Sequence, residues 1–515
     1  MAPVKAISGR GKFIINLFAS ILVFTTNAAV NFLLTPYIVH AIGVEANGFV
    51  QLAANFTQYI SLITIAVSSM SGRFITIAIA KGDKEKAISF YSSIFWAYLL
   101  LFGAMFIPFA AATAKLDSLI HIPERLVSEV KVLFGFGFVN FIAVNIVSFW
   151  NISFFVSDNL YLQYIGKAST ELIKVLLIIS LFSMFTPRIW YMTAAQLIVV
   201  PVSVLWGIWN KKRVCPDLKV INTLFSFGRL KEIVASGVWR SVQSAGEMLL
   251  TGLDLLICNL FIGSPEMGIL ALSKTVPMLV ANLNAQIVSS FAPKLTIDYA
   301  KTQKESIAHD LRRSFKILAV VGTIPLGCLI VFGSEFFSLW VPGQDAGKLQ
   351  ILSVLTCFQV ALLAGIQPIS NIFSTVNKAK PQALSVLISG VINVVIVLAA
   401  LRFIEYGVYI VAGTSSIIAL ARNLIYTIPA SAAYLGFQRK QFYIGVLFSA
   451  ICISVVLIVG VIVKLMLIPD NWARWILSCC ITAGLSLAAN ARLILSERER
   501  ETLLSLLSGL MRGKL

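Results

Sequence analysis

The sequence predicts an all-α integral membrane protein of about fourteen transmembrane helices, on the strength of its composition, its apolar runs and its charge placement. Hydrophobic residues make up 58% of the 515 and charged residues only 12%, outside the balance a water-facing surface needs. Apolar runs of about 20 residues, long enough to cross a hydrocarbon core of roughly 30 Å, recur from Phe13 to the region of Arg492. Lipid offers no partner to backbone N–H and C=O groups, so these runs are expected to be helices. Positive charge gathers in alternate connections.

Taken in order, the spans fall near 13–39, 48–70, 88–112, 132–156, 163–186, 189–209, 236–262, 268–292, 316–340, 349–375, 382–403, 406–434, 443–468 and 472–494. The first has the basic flank of a secretory leader (Lys5, Arg10, Lys12), but its apolar stretch runs on to Pro36 and Ile38, so it reads as a spanning helix. An even count puts both termini on one side. Clusters at Lys81, Lys84 and Lys86, at Lys211, Lys212, Arg213 and Lys219, and at Lys301, Lys304, Arg312 and Arg313 assign that side to the cytoplasm. The net charge of +18 is thereby a topological feature, with contacts to anionic membrane lipids, and no nucleic-acid partner is expected.

The largest outer connection, 113–131, offers only Lys115, Asp117, His121, Glu124, Arg125 and Glu129 as charged or titratable groups, a thin platform for catalysis. The seven cysteines show no paired spacing with histidine, so neither a disulfide framework nor a metal site nor a cofactor is expected. The tail from Ser496 sets leucines on one helical face and reads as a cytoplasmic amphipathic helix.

An internal repeat organises the spans. IGVEANG at 42–48 matches IGSPEMG at 262–268, VSSMSGR at 67–73 matches VSSFAPK at 288–294, and AKGDKE at 80–85 matches AKTQKE at 300–305. Asn151-Ile152 likewise matches Asn371-Ile372. Four matches at offsets of about 220 residues divide the chain into an N-lobe of six spans (1–210), a cytoplasmic linker (211–235), a C-lobe of six spans (236–435), two further spans (436–495) and the tail (496–515). Repeats of this kind around a central cavity mark transporters, not enzymes.

Charges inside a bilayer are expensive and face a cavity or a partner. Arg240, Glu247 and Asp254 in span seven are seven residues apart and, with Gln243 and Thr251, form one stripe. Lys274 in span eight lies at the depth of Asp254, and the two are expected to pair or share a site. Arg240, Arg422 of span twelve and Lys174 of span five fall in the cytoplasmic half, with Glu171 one turn before Lys174. Two readings stay open: Arg240, Arg422, Lys274 and Lys174 form a cationic cavity for a phosphate-bearing substrate, or each neutralises a nearby carboxylate. Asn27, Asn31 and Asn282, with Gln243, add amides suited to sugars, or equally to holding helices together.

This pattern resembles the multidrug/oligosaccharidyl-lipid/polysaccharide (MOP) exporter superfamily: six, six and two spans, the glycine-bearing first outer loop, and Arg73 followed by AKGDKEKA. The segment GVWRSVQSAGEMLLTGLDLLICNLFIG, 237–263, is similar to span seven of its polysaccharide (O-antigen, Wzx-type) flippase branch. The resemblance implies a bacterial inner-membrane flippase that moves an undecaprenyl-diphosphate-linked oligosaccharide to the periplasmic leaflet by alternating access. It implies a polysaccharide polymerase and assembly proteins as partners, with Glu247 or Asp254 as the group coupling transport to an ion. The alternatives are a lipid II flippase and a cation-coupled multidrug exporter, the latter expected to have twelve spans and a carboxylate on span one. A membrane glycosyltransferase or ligase would want catalytic groups in a sizeable outer loop.

Overall fold

The computed structural model describes residues 9–289, 291–301, 304–403, 407–497 and 499–500. These form helices and turns without a strand, and every expected span falls on a helix. Among the described residues nine helices are long and apolar enough to cross a membrane, or up to eleven if each of two bent pairs counts as one span. The helix Leu160–Met184, which carries Lys167, Glu171 and Lys174, is not among the nine. Large side chains such as Ile107, Ile425 and Leu465 are 76%, 77% and 79% exposed, as a lipid-facing surface requires.

Two compact units divide the chain: residues up to Met248 with Leu255–Gly268, and Leu249–Asp254 with the residues from Ile269 onward. The division falls inside span seven.

The first unit contains α1 (Gly9–Ile42), α2 (Val44–Ala80), α3 (Lys84–Ala114), the single turn α4 (Leu116–Leu119), α5 (Val127–Val156), α6 (Leu160–Met184), α7 (Tyr191–Val214) and α8 (Phe227–Glu247). Gly43 alone joins α1 to α2, at a φ of +88° that glycine adopts without a steric penalty. Its core is aromatic: Phe90, Tyr91, Phe138, Phe141 and Phe149 are buried, and Tyr91 stacks on Phe149 at 4.3 Å between ring centroids. Helix α8 packs along α2 because residue 237 is glycine: a β-carbon there would lie 1.9 Å from the Ala66 carbonyl oxygen. Ser241, one turn on, donates to the Leu62 carbonyl at 3.2 Å.

The repeat-related loops also meet in this unit. A β-carbon on Gly48 would lie 2.8 Å from the Gly268 Cα, and one on Gly268 would lie 2.7 Å from the Val44 carbonyl oxygen. Beside them Glu45 accepts from Ser264 and pairs with Arg125 at 2.8 Å. His121 and Asn259 exchange backbone and side-chain hydrogen bonds of 2.9–3.0 Å.

The remaining helices are α9 (Asp254–Phe261), α10 (Ser264–Ser289), α11 (Ala292–Ala300), α12 (Lys304–Trp340), α13 (Ala346–Leu362), α14 (Ser370–Thr375), α15 (Ala379–Ala400), α16 (Gly407–Arg422), α17 (Ile428–Leu435), α18 (Arg439–Met466) and α19 (Trp472–Ile494). In the second unit α12 packs against α13, α18 and α19, so the last two spans are built into the unit's core. Small residues permit this: a β-carbon on Gly327 of α12 would lie 2.3 Å from the Val456 side chain of α18. Helix α19 buries Ser478, Thr482, Ser486 and Asn490, spaced by four on one face, the small polar stripe that lets membrane helices approach closely.

Three spans are interrupted. Span seven bends by 45° after a π turn at Met248–Gly252, span ten bends by 59° at a 3-10 turn over Ala364–Ile369, and a second π turn at Asn423–Thr427 follows Arg422 in span twelve. Insertions of this type gather at functional positions.

The expected tail helix lies, from residue 501, outside the described residues. Its first turn is anchored by Glu499, 2.7 Å from Lys316 of α12. Burial raises the Glu499 carboxyl, but bonds from Lys316 and Ser496 prevail and hold it below its ordinary range.

Two outcomes are expected. Gly237→Ala must push α8 off α2 at a cost of about 1–3 kcal/mol, read as a lower melting temperature in detergent; an unchanged value would refute the tight crossing. The Glu499 anchor should hold above the ordinary carboxylate range and be lost as pH falls through the depressed pKa. Hydrogen exchange at 496–500 measures it, with Glu499→Gln raising exchange already at neutral pH.

Candidate transport site

Two in-span charges of the second unit, Asp254 and Lys274, meet at the π turn of span seven. A π turn and a bend leave carbonyl groups without the usual partner four residues on. Here side chains from two other helices take three of them in succession. Asn393 of α15 donates its amide to the Leu249 and Leu250 carbonyls at 3.2 and 3.0 Å, and Lys274 of α10 donates to the Thr251 carbonyl at 2.9 Å. The same Lys274 ammonium lies 2.7 Å from the Asp254 carboxylate, both side chains less than a tenth exposed. The pairing expected from matched depth is present, with backbone carbonyls as additional ligands of the ammonium.

The stripe of span seven does not continue unbroken to Asp254. Along α8 the Arg240 and Glu247 side chains are exposed, and Gln243 donates to Glu247 at 2.9 Å, on a face turned away from Gly237 and Ser241. The π turn then changes the helical phase and carries Asp254 into the interior.

Of the four expected cations, Lys274 is engaged by Asp254, and Lys174 of α6 pairs with Glu171 one turn away in the first unit. For these two the carboxylate-neutralising reading describes the geometry. Among the described residues Arg240 takes part in no ion pair. Asn27 donates to the Val23 carbonyl at 3.0 Å within its own helix, Asn282 is exposed, and the Asn31 side chain lies outside the described residues.

Arg422 has the most informative surroundings. It closes α16 immediately before the π turn, and its side chain borders two cavities of the second unit. One, of about 410 Å³, is polar, lined by Ser289, Gln359, Gln367, Asn371, Asn423 and Thr427 among others. The other, of about 500 Å³, is an apolar groove between α15 and α16.

The first unit contains a polar cavity of about 240 Å³, lined by Ser68, Arg73, Tyr98, Asn151 and Gln163 among others. Ser68 and Asn151 are the repeat counterparts of Ser289 and Asn371. Each unit therefore builds a polar pocket from the same two repeat positions, the end of its second span and the end of its fourth, and adds an arginine. Gln359, Gln367, Asn423 and Asn393 were not singled out from the sequence; Arg422 and the matched Ser and Asn pairs were the signals pointing to these pockets.

Helix breaks, interior polar pockets and large exposed apolar side chains define a multi-pass helical membrane protein. No family model matches the sequence. The chain is 28% identical over 436 residues, 85% of its own length and 86% of the relative's, to an uncharacterised membrane protein, EpsK, of Bacillus subtilis (strain 168). Among solved structures it is similar to the lipid II flippase MurJ in an inward closed conformation, with TM-score 0.70 and 13% identity over 93% of this chain and 100% of that one. It is similar to an inward-facing multidrug resistance MATE family transporter of the MOP superfamily, with TM-score 0.67 and 14% identity over 82% and 98%. A MOP superfamily transporter from Pyrococcus furiosus Vc1 (DSM3638) gives TM-score 0.61 and 12% identity over 88% and 99%. The chain has the fold of the MOP transporters and flippases.

Removing one partner of a buried ion pair leaves the other uncompensated, at about 3–5 kcal/mol. Asp254→Asn and Lys274→Gln are each expected to lower the melting temperature sharply, and the double substitution to recover part of the loss. Additive losses in the double-mutant cycle would show that the two side chains act independently.

Proposed function

We propose that the chain is a flippase that moves an undecaprenyl-diphosphate-linked oligosaccharide repeat unit from the cytoplasmic to the periplasmic leaflet of a bacterial inner membrane. Both termini lie in the cytoplasm, the lobes of six spans alternate access, and a polysaccharide polymerase with its assembly proteins receives the product. No covalent bond changes in this step.

The observation that carries the reading is Arg422 at a pocket of amides and hydroxyls. A guanidinium in a low-dielectric setting binds phosphate through paired N–H donors, and amides and hydroxyls match the hydrogen-bonding edges of sugars. Arg240, exposed on α8, is proposed as a cationic group of the first unit in its own right. Since Asp254 is engaged by Lys274, Glu247 is the more accessible carboxylate for ion coupling. The second reading is a lipid II flippase, favoured by the likeness to MurJ over 93% of this chain; that cargo is also a polyprenyl-diphosphate-linked saccharide.

In a strain lacking the gene, Arg422→Ala and Arg240→Ala are expected to abolish export of surface polysaccharide while membrane insertion and abundance stay normal. Full export by both variants would sink the proposal. Restored growth on depletion of the resident lipid II flippase would select the second reading, and a shift in drug susceptibility alone would select drug export.

A further inference from the structure

The two cavities bordered by Arg422 have opposite chemistry. The apolar groove is lined by Pro381, Leu384, Ile388 and Ile392 on α15 and by Ile418 and Ile425 flanking Arg422. Its two serines expose no spare donor: Ser385 donates to the Gln382 carbonyl and Ser389 to the Ser385 carbonyl, each at 2.8 Å. Ile388 is 58% exposed, so the groove is open along α15. From Pro381 to Ile392 it follows α15 for eleven residues, about 16 Å at 1.5 Å per residue. That is half of a hydrocarbon core of roughly 30 Å, the depth of one leaflet.

We infer that these cavities are the two chambers of a single lipid seat within the second unit, with the diphosphate of a polyprenyl lipid on Arg422, its tail in the α15–α16 groove and its first sugar in the polar pocket. This rests on the flippase reading for the kind of lipid and adds where the tail goes. Charge complementarity commits the groove to a lipid with an anionic head: the arginine borders both the apolar lining and the amides. One groove of one leaflet's depth suits a single chain, not the paired tails of a bulk phospholipid. The π turn at Asn423–Thr427 makes the junction possible, since it changes the helical phase just past Arg422, so that Ile425 faces the groove while Asn423 and Thr427 face the pocket.

The test is calorimetric titration of the full-length protein in phosphatidylcholine nanodiscs, corrected for empty discs, with farnesyl diphosphate, farnesol, inorganic diphosphate and a lysophosphatidic acid. Farnesyl diphosphate is expected to bind at least tenfold tighter than either of its halves or the lysolipid. Arg422→Gln should weaken it tenfold or more and Arg422→Lys less. The pair Ile388→Trp with Ile418→Trp should weaken farnesyl diphosphate while leaving inorganic diphosphate unchanged, which also shows that the variant is folded. Farnesyl diphosphate binding no tighter than inorganic diphosphate, equal binding of the lysolipid, or no effect of Arg422→Gln would each overturn the seat. Export assays separate this from the flippase reading. Normal export by the tryptophan pair, with export lost in Arg422→Ala, removes the seat and leaves the flippase; tight binding in a chain that supports no export removes the flippase and leaves the seat.

Discussion

Three backbone carbonyls hold the second unit's charged interior together. A helix that breaks inside a bilayer exposes polar groups that lipid cannot satisfy, and span seven breaks at Met248–Gly252. The Leu249, Leu250 and Thr251 carbonyls are taken by Asn393 and Lys274, from two different helices. Lys274 could not be there as an unneutralised charge, and Asp254, brought inward by the same turn, completes it. One local distortion thus ties α10 and α15 to span seven and explains a buried ion pair that would otherwise be an expensive ornament.

The repeat gives the two units a common plan and different contents. In each, a serine at the end of one span and an asparagine at the end of another border a polar pocket, Ser68 with Asn151 and Ser289 with Asn371. In the second, Asn371 also donates to the Val288 carbonyl at 3.1 Å, so the residue that shapes the pocket also ties its walls together. The arginines come from non-equivalent places, Arg73 at the end of α2 and Arg422 at the end of α16, and only the second unit adds an apolar groove.

How much of this the sequence discloses depends on how local the determinant is. The helical runs were legible because run length and hydropathy are properties of consecutive residues; the number fourteen was not, since nine to eleven of them are long and apolar enough to cross a membrane among the described residues. The Asp254–Lys274 pair was legible because depth can be counted along two adjoining helices joined by a short turn. The stripe of Arg240, Glu247 and Asp254 was misread as one face because MLLTG, the segment that forms the π turn, looks like ordinary helix. Which cations bind a substrate and which neutralise carboxylates was open for a related reason: Lys174 and Glu171 share a turn of helix, but the setting of Arg422 depends on helices more than thirty residues away in the chain. The amides around it carry no signature until those helices are brought together.

The contact between Gly48 and Gly268 joins two loops of matching sequence, and this constrains how the sequence can change. At most packed positions a larger residue on one side can be accommodated by a smaller one opposite. Here both sides already carry the smallest side chain, and the nearest atoms to each are backbone. No compensating exchange exists, so neither position can take a larger residue unless the backbone itself moves.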